Sequence, residues 1–187
     1  LRTATDARRL RAVLGTVTDA VVIGGGYIGL EAAASLRKAG KSVHVVEFAP
    51  RLLARVASPL LSDYCAALHR SAGVTVSTGA ACDEILTDDT GTVRGVRLTN
   101  GIDLECQLVL AGIGVIPDAG LAAAAGLAVD NGIIVSHTYR TDDDAIWAIG
   151  DVARAPSRYE LRIESIHHAQ TSSQIAAADI MGGELPS

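Results

Sequence analysis

The sequence predicts an α/β protein built on a parallel sheet. Short apolar runs, Ala20–Ile23 and Leu108–Ala111, lack the alternation of half-exposed strands, as expected of strands covered on both faces. Helical patterns rich in Ala and Leu lie between such runs, the first starting at Tyr27 and closed by Gly40. The first run also feeds directly into Gly24-Gly25-Gly26.

Each element can be justified in order. Thr5–Leu14 reads as an amphipathic helix that buries Ala7, Leu10, Val13 and Leu14 and shows Arg8, Arg9 and Arg11 to solvent, with Gly15 as its stop. Ala20–Ile23, Tyr27–Ala39 and Ser42–Val46 make strand, helix and strand within about thirty residues, one βαβ unit. Pro59–Ser71 is a helix capped by Ser58 with proline at its first position, and Val74–Val76 is a third strand. Cys82–Leu86, Thr92–Leu98 and Ile102–Cys106 are short strands, the last two joined by the hairpin dipeptide Asn100-Gly101. Leu108–Ala111 returns to the continuous apolar pattern. After a break at Ile116-Pro117-Asp118 come a small helix (Leu121–Ala125), a turn at Asp130-Asn131-Gly132, strands at Ile133–Val135 and Ile146–Ile149, and a helix from about Ser165 to Met181. The boundary at Pro117 predicts two domains, 1–117 and 118–187; the second is too short to bury much surface alone and is expected to dock elsewhere.

Composition narrows the function. Aromatics are only 3% of 187 residues, so the core must be Ala, Val, Leu and Ile. A net charge of −5 argues against a nucleic-acid groove or a membrane-surface patch, and no apolar run approaches bilayer length. The opening Leu1-Arg2-Thr3-Ala4-Thr5-Asp6 is polar, unlike a secretory signal. Cys65, Cys82 and Cys106 are too far apart for a dithiol motif or a metal site and read as ordinary thiols of a reducing cytoplasm.

Gly24-Gly25-Gly26-Tyr27-Ile28-Gly29 fits G-x-G-x-x-G between a strand and a helix, the pyrophosphate cradle of a Rossmann-like βαβ dinucleotide-binding domain. Gly24 serves the tight turn, Gly26 admits the pyrophosphate to the backbone, and Gly29 lets the helix pack closely. Tyr27 and Ile28 open the helix whose N-terminus receives the phosphates. Glu47 closes the second strand, 47 − 29 = 18 positions beyond the last glycine, where an acidic residue bonds the ribose 2′-OH. A carboxylate there favours NAD(H) and repels a 2′-phosphate, and Glu47→Arg is expected to narrow or reverse that preference. Arg51 and Arg55 follow, either as solvated loop residues or as a residual tolerance for phosphate.

Thr141-Asp142-Asp143-Asp144-Ala145-Ile146-Trp147-Ala148-Ile149-Gly150-Asp151 matches T-x-x-x-x-h-h-A-h-G-D and resembles the second FAD-binding signature of flavoproteins with two dinucleotide-binding domains. Ala111-Gly112-Ile113-Gly114-Val115-Ile116-Pro117 resembles a third signature of that superfamily. With Asp6-Ala7-Arg8-Arg9-Leu10, Gly29-Leu30-Glu31, Ala49–Val56 and Arg162-Ile163-Glu164-Ser165, the chain is similar to the single-component ferredoxin reductases of the pyridine nucleotide-disulphide oxidoreductase superfamily, a group that includes putidaredoxin, rhodocoxin and rubredoxin reductases.

The resemblance implies an NADH-dependent flavoprotein reductase that passes hydride from NADH to FAD and electrons on to a ferredoxin- or rubredoxin-type acceptor. It places Glu31 near the nicotinamide carboxamide, Glu47 and Arg55 at the adenosine ribose, and the backbone of Ile113 and Gly114 beside the nicotinamide ribose. Gly150 and Asp151 would meet FAD, and Ile166, opening the last helix, would face the flavin edge. His167 and His168 depart from the family pattern, either tuning the flavin or serving as polar first-turn residues. No acid–base catalytic residue is implied. The family's N-terminal FAD-binding half and C-terminal domain lie outside this sequence, so the chain reads as a fragment: the NAD domain and the returning part of a second, FAD-binding domain. Such a fragment is expected to be inactive alone and to hold flavin poorly. It would leave Ile163, Ile166, Ile175 and Ile180 short of partners, which favours either self-association, as in a homo-oligomer, or disorder after Pro117. Two alternatives remain open: the corresponding module of a nitrite or disulfide reductase, and a non-enzymatic NAD-binding protein.

Overall fold

The computed structural model describes residues 2–157 and 162–184. They form two compact units, one ending at Gly114 and the other starting at Val115.

The first unit opens on α1 (Ala4–Val13). Thr3 and Asp6 make a reciprocal capping box, each side chain accepting the other's backbone N–H. The apolar face expected of this helix is not buried. Leu10 and Leu14 are half-covered, whereas Ala7 and Val13 are exposed because no element of this unit closes over them.

The sheet then follows from the apolar runs. β1 (Asp19–Ile23), α2 (Tyr27–Lys38), β2 (Ser42–Glu47), α3 (Pro59–Ser71) and β3 (Val74–Thr78) lead into β4 (Cys82–Thr87), β5 (Val93–Leu98), β6 (Asp103–Glu105) and β7 (Leu108–Ala111). β1, β2, β3 and β7 form a parallel sheet in the order β3-β2-β1-β7, with Val22 opposite Val45 and Leu110. Alternate residues serve two cores. Ala20, Val22, Val43 and Val45 meet Leu30, Ala33 and Leu36 of α2 and Ala66 of α3. Val21 and Val46 meet Val96, Leu98 and Cys106 of the antiparallel insert β4-β5-β6. Covering both faces is why Ala20–Ile23 and the Val45-Val46 pair are apolar at successive positions, and each buried valine contributes about 2 kcal/mol. β6 is shorter than the run Ile102–Cys106 because the hairpin takes Ile102 into its closing bond, Leu98 N–H to Ile102 O. Gln107, just before β7, accepts bonds from the N–H groups of Thr18 and Asp19 and the Thr18 hydroxyl, which fixes β7 beside the start of β1.

The second unit holds α4 (Gly120–Ala124), β8 (Ile133–Ile134), a 3-10 turn (Gly150–Val152), β9 (Ala153–Arg154) and α5 (Ile166–Met181) around a small core of Val135, Tyr139, Ala148, Ala153 and Ala176. β8 and β9 pair in parallel. The strand expected over Ile146–Ile149 does not form. The Thr141 N–H and hydroxyl both bond the Ile146 carbonyl, closing a loop, and with the Ala148 N–H bonded to Tyr139 O this makes a single isolated bridge of Trp147 to Arg140. Asp151 therefore sits in the 3-10 turn, not at a strand end.

Asp179 of α5 ties this loop down. One carboxylate oxygen accepts from Trp147 Nε1 at 2.8 Å and from Arg140 Nη2 at 2.9 Å, and the Arg140 guanidinium lies 5.0 Å from the Trp147 ring centre. The Trp147 N–H first, then Arg140, holds the Asp179 carboxyl below the usual carboxylate range. A depressed folded-state pKa means stability that is present above the ordinary value, near 4, and lost as pH falls through the lower one. Emission of Trp147, the one tryptophan, should therefore shift on acidification below about pH 4. Asp179→Asn should show the shifted emission already at neutral pH, and a variant indistinguishable from wild type across the titration would refute the tie.

Candidate nucleotide-binding site

At the carboxyl end of β1 the sheet order reverses: β2 and β3 lie to one side and β7 to the other. Open α/β sheets bind ligands in the crevice at such a switch point. Gly24 stands there at φ +105°, and a Cβ on it would lie 2.4 Å from the Gly112 carbonyl oxygen, just beyond β7. Gly112 N–H is itself bonded to Ile23 O at 2.7 Å. The first turn of α2 packs as closely, since a Cβ on Gly29 would lie 2.0 Å from Gly24 O. Gly26 differs: a Cβ there would meet nothing within 4 Å. It caps α2 without a side-chain hydrogen bond, so the first-turn N–H groups face open space. Tyr27, Ile28 and Glu31 are exposed along the start of α2, and Ile113 is exposed beside Gly114.

Glu47 is bound into this turn. Its Oε2 accepts the Gly25 N–H at 2.5 Å and its Oε1 accepts the Ala49 N–H at 2.7 Å, and each oxygen keeps a further lone pair for a ligand hydroxyl. The loop after β2 is tied to the same place. Leu53 N–H bonds Gly25 O at 2.9 Å, with Leu53 held at φ +54°, and Leu52 is buried against Gly25. The two arginines of this loop separate cleanly. Arg51 donates to Ala54 O, Ala57 O and Ser62 Oγ and is internal. Arg55 is exposed and makes no hydrogen bond or ion pair among the described residues.

The expected residues of the first unit thus gather at one sheet edge: Gly24, Gly26 and Gly29 in the turn, Tyr27, Ile28 and Glu31 on α2, Glu47 and Arg55 after β2, and Ile113 and Gly114 after β7. Sequence reasoning does not reach the Gly112 carbonyl that crowds Gly24, the Leu53–Gly25 bond or the internal role of Arg51. The glycine pair in Gly112-Ile113-Gly114 is the one signal of these.

In the second unit, Gly150 N–H donates to the buried Ser172 Oγ at 3.0 Å, which holds the 3-10 turn against α5. Ser165 caps α5 through the His168 N–H, and Ile166 is exposed at the first helical position. The Asp151 side chain is exposed without a partner among the described residues, while its carbonyl accepts Arg162 Nη1. His167 and His168 both lie in the first turn of α5: His167 is exposed, and His168 is half-buried with Nε2 at 3.1 Å from Tyr139 Oη.

The three cysteines are unpaired. Burial, with Asp83 adding to it, pushes the Cys82 thiol up, and burial does the same to Cys106. Among the described residues no helix is long and apolar enough to cross a membrane.

Known proteins share this arrangement. Putidaredoxin reductase of Pseudomonas putida is 44% identical over all of this chain and 45% of its own length. A rubredoxin-NAD(+) reductase of the same species is 39% identical over all of this chain and 49% of its own. The chain spans about half the length of these curated relatives. The ferredoxin reductase for the CYP199A2 system from Rhodopseudomonas palustris superposes with a TM-score of 0.90 at 41% identity, covering all of this chain and 46% of that one. Putidaredoxin reductase in its covalent complex with putidaredoxin gives 0.89 at 40%, with the same coverage. The family model described as pyridine nucleotide-disulphide oxidoreductase matches residues 1–173. The Rossmann-like turn, the parallel sheet and this match together make the chain a member of the pyridine nucleotide-disulphide oxidoreductase family.

Proposed function

We propose that the first unit binds NADH and the second forms part of an FAD site, in a cytoplasmic NADH-dependent reductase that serves a ferredoxin- or rubredoxin-type electron carrier. The observation that carries this reading is Glu47, a carboxylate anchored on the Gly-rich turn beside an uncapped helix N-terminus. It offers acceptor lone pairs to a ribose diol next to N–H groups that receive a pyrophosphate. The names of the two curated relatives support the choice of electron carrier.

The chain's own residues bind and orient. The open space at Gly26 admits the pyrophosphate, and Glu47 selects a free 2′-hydroxyl. Arg51, spent on three internal acceptors, is not available to hold a 2′-phosphate. Glu31, exposed on α2, is placed for the carboxamide end, with Ile113 and Gly114 alongside the second ribose. In the second unit the free Asp151 carboxylate beside the first turn of α5 suits polyol hydroxyls, and the positive end of the α5 dipole at Ile166 suits a ring that gains negative charge. FAD held there by Gly150, Asp151 and the first turn of α5 would supply the hydride-accepting and single-electron chemistry.

Titration of the protein with each nucleotide, followed by calorimetry, should give tighter binding of NADH than of NADPH. Tighter binding of NADPH would overturn the assignment of Glu47.

A further inference from the structure

Phe48 is the chain's single phenylalanine and is 80% exposed. It follows Glu47 directly, beyond the carboxyl end of β2. Its backbone surroundings are fixed on both sides. Glu47 O accepts the Ala80 N–H at 3.1 Å, Ala49 O accepts the Gly79 N–H at 2.9 Å, and Ala49 N–H is bonded to the Glu47 carboxylate. The ring is therefore presented from a rigid rim where the ends of β2 and β3 are laced together.

On the reading that Glu47 binds a ribose 2′-hydroxyl, the chemistry of a nucleoside places the rest. The base is attached to the ribose carbon next to the one that bears that hydroxyl. The pyrophosphate leaves the same ribose toward Gly26, so the base must lie on the other side of Glu47, over the residues that follow it. We propose that Phe48 is the adenine platform of this site, its ring stacking on the purine while the exposed, close-set backbone of Gly79 borders the same rim. An aromatic face suits this task because every purine offers a π-face and the contact needs no hydrogen-bond partner. Tyr27, also exposed, stands on α2 at the far side of the Gly-rich turn from Glu47 along the nucleotide's path, and is not placed for the base.

The test measures binding of ADP-ribose, which keeps the adenosine, the pyrophosphate and the second ribose and lacks only the nicotinamide, by calorimetry on the whole chain. Because Phe48 is exposed, Phe48→Ala should keep the melting temperature, and ADP-ribose should bind roughly tenfold more weakly. Phe48→Trp should restore the affinity, whereas Phe48→Leu, apolar but without a π-face, should bind as weakly as the alanine variant. Wild-type affinity in Phe48→Ala, or in Phe48→Leu, would overturn the stacking role. Failure of the wild-type chain to bind either ADP-ribose or NADH would instead remove the nucleotide-site reading on which this inference rests.

Discussion

Gly29→Ala is expected to damage both fold and nucleotide binding, whereas Gly26→Ala, three residues earlier, is expected to damage binding with little cost to the fold. The added Cβ at position 29 would lie 2.0 Å from the Gly24 carbonyl, a backbone atom that cannot step aside as a side chain can. Either α2 withdraws from the turn or the turn opens, and Gly24 is itself wedged against Gly112. Overpacking of this kind costs up to about 3 kcal/mol, or a melting temperature lower by about 6–12 °C for a chain of this size. NADH affinity should fall with it, because the uncapped N–H groups move. Gly26 has an ordinary backbone conformation at φ −82° and open space beside it, so alanine costs only the lost preference for glycine at an N-cap, about 0.5–1 kcal/mol. The same methyl group would stand where a pyrophosphate approaches, and NADH affinity should drop by at least about tenfold, 1.4 kcal/mol. Thermal melts and NADH titrations of the two variants separate these effects. A Gly26→Ala protein that binds NADH as wild type would show that the open space is not the cradle.

Removing the Glu47 carboxylate should be nearly as costly, for a reason separate from ligand binding. Glu47→Ala strands the N–H groups of Gly25 and Ala49, of which Gly25 is buried, at about 1–3 kcal/mol for a buried donor. It also removes a charged acceptor from the ribose, worth about 1.5–3 kcal/mol or roughly 10- to 100-fold in NADH affinity. The same two bonds alter the expectation for Glu47→Arg. Charge alone would narrow or reverse the preference for NADH. An arginine, however, offers no acceptor to Gly25 or Ala49, so the variant should lose stability and bind both nucleotides poorly instead of turning into an NADPH site. A Glu47→Arg protein with the wild-type melting temperature and tighter NADPH binding than wild type would overturn this account.

The parts of the fold that were legible in the sequence are those set by local pattern. Ala20–Ile23 of β1 and Leu108–Ala111 of β7 are apolar at successive positions because elements pack on both faces, and α3 carries its own start signal in Ser58 and Pro59. The Gly24–Gly29 turn was legible because three glycines and a downstream acid are a physical requirement of that turn. What was not legible depended on partners distant in sequence. α1 has an amphipathic pattern, but pattern does not say whether another surface arrives to cover Ala7 and Val13. Ile146–Ile149 has strand composition, yet Thr141 closes a loop over it. Arg51 and Arg55 look alike in the sequence, and only the position of Ser62 on α3 decides which of them is internal.

The bonds from Gln107 to Thr18 and Asp19 join residues 89 and 88 positions apart. This separation bears on the order in which the molecule assembles. β1, α2, β2, α3 and β3 are neighbours in the chain and can pair early. The other edge of β1 must then wait until the whole antiparallel insert has been synthesised and folded before β7 can reach it. Meanwhile that edge presents Val21-Val22-Ile23 with unpaired backbone groups, a template for pairing with another nascent chain. Gln107 stands immediately before β7, against the start of β1. Its amide oxygen gathers three donors there, which holds in place the β7 pairing that takes the sticky edge out of circulation.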